Sequence, residues 1–431
     1  MVRLLNLLRP ATQGARILGA TVLMAFVAHA QTLNTLYTFS HGDLGHQPAG
    51  GVTIGPNGEL YGTTEHGGKL GYGVVYELVP PGSAGGAWTE VMLHTFTDQD
   101  GPQYSGTGVA LGPNGALYGV SGDPGVTFRL KPPTASNTEW REVILHAFTA
   151  TNGDGGRPSS TPVIGPKGVL YGDTLSGGQY NNGAIYSLTP TGTAGAAWNE
   201  QILHSFQLVV GDGGGPAGAL ALAADGTIYG TTSVSAGPYY SGTAFALTPP
   251  AKTGGAWTET QIYIFGSQPG DVGAPAGVTM APNGLLYGST NAFSGRPPCS
   301  GNCGTVFQLS PPSIPGGPWT ETVLHTFNNL TGDLWSSLST PVIGPNGVLY
   351  GAAWGGGAFG KGGIFQLAPP SSPGGTWTET ILYSFTGGAD GWASNSVTLG
   401  SDGNLYGTTY QGGVSPGGAT NQGTVFQLVL H

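Results

Sequence analysis

Nine histidines and 22 acidic residues are the groups in this 431-residue chain best able to move protons or hold a metal. Four of the histidines, His94, His146, His204 and His325, each stand two residues before a phenylalanine. Such regularity suggests a metal ring, since imidazole nitrogen suits divalent transition metals. Yet Tyr37, Tyr263 and Tyr383 fill the same slot elsewhere. A phenol is a poor substitute for an imidazole ligand and a good one for a packed ring with a polar tip, so the slot reads as packing. Asp43, Asp100, Asp154, Asp212, Asp271, Asp333 and Asp390 form a second series. Seven carboxylates in a ring could take calcium, whose ligands are hard oxygens. Single acids one repeat apart lack the spacing of a calcium loop, and an Asp beside Gly more simply accepts the backbone N–H bonds of its turn. No metal and no other cofactor is expected.

Residues that break the pattern are better site candidates than residues that keep it. The non-recurrent polar group is Glu65, His66, Asp98, Asp123, Asp173 and Arg157; the non-recurrent aromatic group is Trp335, Trp354, Trp392 and Tyr410, with Tyr239, Tyr240 and Arg296 between. Flat aromatic faces suit the apolar faces of sugar rings, so the four aromatics are the expected ligand-binding residues. The competing reading is that Trp335 and Trp392, each two residues after a recurrent Asp, only plug junctions. A glycosidase needs two carboxyls about 5–9.5 Å apart and a lyase needs a placed base; spacing fixes no such distance for Glu65, His66, Asp98 or Asp123. Neither a G-x-S-x-G elbow nor an H-E-x-x-H pair occurs. The expectation is therefore a non-enzymatic binding module, with no catalytic residue, for a glycan, another extracellular polymer or an extracellular protein. A polysaccharide hydrolase or lyase on the same rim is the alternative.

The elements that position these residues come from repetition. Leu-Tyr-Gly, once Ile-Tyr-Gly, recurs at Tyr61, Tyr118, Tyr171, Tyr229, Tyr287, Tyr350 and Tyr406, and tandem units of this kind mark propellers, solenoids or arrays. Each unit carries four short runs rich in β-branched and aromatic residues, bounded by turn residues. Asn-Gly or Asp-Gly often joins the first two runs, a strong hairpin signal. Four antiparallel strands taken seven times predict an all-β, seven-bladed β-propeller over residues 31–431. The mature chain is expected to open on a fourth-strand sequence, Thr35–Phe39, and the sequence ends on a third-strand sequence, Gly423–Leu428. Pairing of these N- and C-terminal strands is expected to close the ring and leave no open edge. Loops from second to third and from fourth to first strands share one rim, where a ligand is expected.

The string Asp402-Gly403-Asn404-Leu405-Tyr406-Gly407-Thr408-Thr409-Tyr410-Gln411-Gly412-Gly413, closing with Gly423-Thr424-Val425-Phe426, resembles the Gloeo/Verruco (GloVer) tandem repeat of the choice-of-anchor exported proteins. The resemblance covers all seven units. It implies an exported repeat protein and supplies no functional residue.

Composition bounds the partners. Gly and Pro, 80 and 33 residues, make up about a quarter of the chain, while only 8% of residues are charged. The formal net charge of −10 argues against nucleic acid, which needs basic patches. Arg3, Arg9 and Arg16 precede an apolar run from Ile17 to Ala30 that ends Ala28-His29-Ala30. Residues 1–30 thus read as a secretory signal peptide, too short in its apolar part to span a bilayer, and the mature chain as a secreted or periplasmic monomer. The two cysteines, Cys299 and Cys303, are expected to form a local disulfide in that oxidising setting.

Overall fold

The computed structural model describes residues 31–431 apart from 41, 43, 84, 102–106, 193–195, 236–240, 253, 269–272, 292–302, 315, 329–331, 337–338, 373, 416–417 and 419. The predicted signal peptide, Asp43, Asp271, Tyr239, Tyr240, Arg296 and Cys299 therefore lie outside the described residues. Among those described, no helix is long and apolar enough to cross a membrane.

Strands alternate with glycine-rich turns because each run buries one face and ends where the chain must reverse. Blade 1 shows the unit: His46–Ile54, Leu60–His66, Val74–Val79 and Thr89–Thr95, paired antiparallel in that order. Six further sheets repeat it, making a seven-bladed β-propeller of four-stranded antiparallel blades. In the last blade Trp392–Leu399, Leu405–Gln411 and Thr424–Val429 are joined on the outside by the N-terminal Thr32–Thr38.

That N-terminal strand pairs with Thr424–Val429 in antiparallel register, but the expected closure of the ring by main-chain pairing is corrected. Each blade runs from an inner to an outer strand, two of them with a further short strand paired off that path, and no sheet is closed by hydrogen bonding. The reason is geometric. Blades of a propeller meet face to face, so what joins neighbours is side-chain packing, and a ladder can complete a blade without sealing a circle.

The packing recurs at all seven junctions. A fourth-strand phenylalanine meets a third-strand ring of the next blade edge-on or tilted: Phe39 on Tyr76, Phe96 on Phe128, Phe148 on Tyr186, Phe206 on Phe245, Phe265 on Phe307, Phe327 on Phe365 and Phe385 on Phe426. Their centroids lie 4.8–5.6 Å apart, the range in which aromatic pairs add to area burial. The recurrent tryptophans serve the same joints, as in Tyr61–Trp140, Tyr118–Trp198 and Tyr171–Trp257. One backbone bond supplements the rings at several junctions. Gln47, Arg157, Ala274, Ser336 and Ala393 take left-handed φ of 56–60°, which aims their N–H groups at Gln422, Pro124, Ser241, Cys303 and Lys361 carbonyls of the preceding blade.

The glycine of Leu-Tyr-Gly recurs for a related reason. A Cβ at Gly351 would overlap the Phe365 ring of its own blade, and the other six sites repeat that contact with Tyr76, Phe128, Tyr186, Phe245, Phe307 and Phe426. Since Phe365 is fully buried, it has nowhere to go. Gly351→Ala is expected to destabilise the fold by about 1–3 kcal/mol through overpacking. Urea unfolding checks this, and an unchanged midpoint would refute the contact.

Candidate functional site

First strands line the middle of the propeller, and their sequences are small or polar there: Ala49-Gly50-Gly51, Ser159-Ser160-Thr161, Gly218-Ala219 and Asn395-Ser396. Small side chains leave room, and all seven blades contribute to one cavity of about 580 Å³, within the usual range for small-ligand sites. Three larger side chains enter it from the ends of second strands: Glu65, Trp354 and Tyr410. They belong to blades 1, 6 and 7, which are consecutive around the ring. Each stands four residues after its recurrent tyrosine, a position held in the other blades by Gly122, Leu175, Ser233 and Asn291.

The three form a contiguous unit. The Tyr410 phenol donates to Glu65 Oε2 at 2.8 Å, across 345 residues of sequence. Trp354 and Tyr410 stack at 5.9 Å with 29° between their planes, giving one extended aromatic surface. Burial raises the Glu65 carboxyl above its ordinary value, the Tyr410 bond and the His66 ring opposing it only in part. Burial and the Glu65 carboxylate together push the Tyr410 phenol up to about 12. The result is a carboxyl biased towards holding its proton beside a phenol that keeps its own. Among the described residues no Lys or Arg lines this cavity, and Glu65 is the one carboxylate that does. Asn395 bridges blades 7 and 1, donating through Nδ2 to the Pro48 carbonyl at 2.8 Å and Thr408 Oγ1 at 3.0 Å.

Of the four aromatics expected to bind ligand, Trp354 and Tyr410 line the cavity together, whereas Trp335 and Trp392 do not. Trp335 pairs with Gly355 and packs against the core shared by blades 5 and 6. Trp392 donates to Asn421 Oδ1 and lies under the Lys361 ammonium. Glu65 is the one acid of the expected polar group that lines the cavity. Asp98 accepts the Tyr72 hydroxyl, Asp123 pairs with Arg157 on the exposed surface, and the His66 ring lies tilted against His46. Asp173 lies behind the cavity wall, fully buried. Cys303 is buried and disulfide-bonded; its expected partner Cys299 is outside the described residues. Sequence reading missed Ser159, Ser160 and Asn395. Aligning the seven units on their tyrosines is the signal that narrows the site position, because four and five residues after the tyrosine the residue type changes in every blade, whereas the positions before them largely repeat.

The recurrent histidines and acids meet at the outer part of the junctions. His94 Nε2 lies 2.7 Å from Asp100 and 3.6 Å from Glu142 of the next blade. His146–Asp154–Glu200, His204–Asp212–Glu259 and His325–Asp333–Glu379 repeat the arrangement, each with ligand atoms within 4.8 Å of one another, so any of the four could hold a metal ion. Tyrosine occupies the imidazole position at other joints, Tyr37 on Glu90 at 2.7 Å and Tyr263 on Glu321 at 2.9 Å. The aspartates also accept backbone N–H groups of their own turns, Asp100 from Thr97 at 2.8 Å and Asp390 from Thr386 at 2.7 Å.

These observations correct the expectation of a purely binding, non-enzymatic module. A half-buried carboxyl bonded to a phenol at the edge of a cavity is a pair of groups able to move a proton, and four His–Asp–Glu clusters add groups that could hold a metal ion.

The sequence profile of the Gloeobacter/Verrucomicrobia repeat matches residues 120–332 and 299–431. No curated protein matches the chain. Among solved structures, the chain is similar to a putative oxidoreductase (glucose dehydrogenase) of Thermus thermophilus at 15% identity, covering 93% of this chain and all of that one, with a TM-score of 0.39. It is also similar to a gluconolactonase of Xanthomonas campestris at 14% identity, over 75% of this chain and 86% of that one, TM-score 0.39. A structure titled glucose dehydrogenase gives 14% identity, 75% and 96% coverage and a TM-score of 0.44.

Proposed function

The chain belongs to the Gloeobacter/Verrucomicrobia repeat family, and from that premise and its cavity we propose an exported enzyme that hydrolyses an uncharged polysaccharide. The observation that carries the reading is the Tyr410–Glu65 hydrogen bond beside the Trp354 ring. A sugar ring laid on the Trp354–Tyr410 surface brings its glycosidic oxygen to Glu65. Glu65 is the one carboxylate on the described lining, so it takes in turn both roles that a pair of carboxyls usually shares. Protonated, it gives its proton to that oxygen as the C–O bond breaks, and as the carboxylate it then accepts the proton lost by the water that adds to the anomeric carbon from the same face. Tyr410 holds Oε2, so Oε1, which has no partner among the described residues, is the oxygen left for this exchange. A described lining without Lys or Arg favours a neutral glycan over a uronate, whose carboxylate would need a cation, and so favours hydrolysis over elimination.

Incubation with soluble β-glucan, xylan, mannan and amylose should release reducing ends from at least one. Release from none of them would overturn the reading.

Export supports the same picture. Residues 1–30 have the charged and apolar regions of a signal peptide, and a disulfide-bonded Cys303 suits an oxidising compartment. The mature protein acts outside the cytoplasm as a monomer. Protein recovered from periplasm or medium should begin at Gln31 by intact mass and carry no free thiol; retention of residues 1–30 would refute the signal peptide.

A further inference from the structure

The wall of the cavity is not uniform. Two residues after the recurrent tyrosine, four blades carry a hydroxyl that donates to a backbone carbonyl: Thr63 to Thr107 O at 2.5 Å, Thr231 to Ala217 O at 2.9 Å, Ser289 to Ser339 O at 2.9 Å and Thr408 to Gly50 O at 2.5 Å. Blades 2 and 6 carry Val120 and Ala352 there. Blade 3 alone carries an acid, Asp173, with no exposed surface. An acceptor thus stands where neighbours place a donor, and the polarity of the hydrogen bonds is reversed. Ser159 Oγ donates to Asp173 Oδ2 at 2.8 Å and Ser160 Oγ donates to Asp173 Oδ1.

Burying a carboxylate is expensive unless several donors meet it, so these two hydroxyls are committed. Ser159 has an alternative acceptor in the Pro216 carbonyl, but at 3.3 Å it is the weaker one. A serine has a single proton. Once that proton is given to Asp173, the oxygen can only accept. Both serines line the cavity, as does Thr161 beside them.

We infer that Asp173 is a positioning residue that makes the Ser159–Ser160 pair of the blade-3 wall an acceptor-only subsite, selecting free sugar hydroxyls there and rejecting sulfated or carboxylated units. The inference rests on the glycan reading of the cavity and adds the chemistry of the substituents it admits. A free hydroxyl donates to Ser159 or Ser160; a sulfate or carboxylate brings only acceptors against acceptors, with Asp173 as a like charge behind them.

Binding is measured by Trp fluorescence with hexaoses of β-1,4-glucose, β-1,3-glucose, xylose and mannose, and with dextran sulfate and polygalacturonate as anionic probes. Wild type should bind at least one neutral hexaose and neither anionic polymer. Asp173→Asn, whose amide donates and frees a serine proton, should weaken the neutral ligand tenfold or more and narrow the preference over the anionic probes. Ser159→Ala, which leaves the carboxylate in place, should weaken the neutral ligand severalfold with an unchanged melting temperature. Equal binding of the neutral ligand by wild type and both folded variants would overturn the inference, as would tighter binding of an anionic probe or no hexaose binding by wild type. The two readings fail separately. Binding that is lost in Asp173→Asn, without any cleavage by wild type, retires hydrolysis and keeps the subsite. Cleavage with an unchanged KM in Asp173→Asn keeps hydrolysis and retires the subsite.

Discussion

Glu65→Gln is expected to lower kcat for the cleaved polysaccharide by about 10²–10⁴-fold, the usual contribution of a placed proton donor, while leaving KM within a few-fold. Glutamine keeps the size of the side chain and can still accept the Tyr410 hydroxyl, so folding and ligand contact survive while the transferable proton is lost. Trp354→Ala should do the reverse, raising KM through loss of the stacking surface with a smaller effect on kcat. Wild-type activity should fall as pH rises through the Glu65 pKa, because the acid is active in its protonated form and burial holds that pKa above the ordinary carboxyl range. Initial rates across pH for wild type and both variants check this. A Glu65→Gln enzyme with wild-type kcat would remove Glu65 from the chemistry.

The second large effect is on stability. Glu90, Glu142, Glu200, Glu259 and Glu379 lie at blade junctions, and burial pushes each carboxyl from 4.5 up to about 7. Nearby Asp100, Asp154, Asp212 and Asp333 carboxylates add to the rise at four of them. A folded-state pKa above the unfolded one means that the folded chain binds the proton more tightly. The stabilisation is therefore fully present below about pH 4.5 and is lost as pH rises through 7. Partial exposure reduces each contribution to about 1 kcal/mol, yet five together should lower Tm by about 5 °C or more between pH 5.5 and 8.5. Asp100 and Asp154 act at the other end: burial raises them, but bonds from His94, Thr97, Thr149 and His146 outweigh it and hold both below the usual range. Their stabilisation is lost as pH falls through those depressed values, so the maximum lies between the two limits. Scanning calorimetry across pH checks the alkaline limb, which Glu142→Gln, Glu200→Gln and Glu259→Gln combined should flatten. A Tm that stays level or rises from pH 5.5 to 8.5 would refute the argument.

Much of this protein was open to reading from the chain alone, because repetition turns local chemistry into architecture. Leu-Tyr-Gly at Tyr61 and its six counterparts, with β-branched runs between turns, determined the strands, the blade count and the scaffold role of the repeated tryptophans. Local propensity decides those features, and seven copies average out its errors. Closure was different: Thr32–Thr38 and Thr424–Val429 do pair, but whether pairing seals a ring depends on how blades face one another, which Phe39 on Tyr76 and six similar contacts decide. The site was different again. Glu65, Trp354 and Tyr410 were visible as residues that break the repeat, yet Trp335 and Trp392 broke it equally, and only position separated them. Two residues after a recurrent Asp, Trp335 and Trp392 fall on packing outside the cavity; four residues after a recurrent Tyr, Glu65, Trp354 and Tyr410 fall on the cavity. The sequence by itself determined the repeating scaffold and which residues depart from it. The tertiary structure decided which departures meet, because ring topology brings blade 1 beside blade 7, and so sets Tyr410 against Glu65 from opposite ends of the chain.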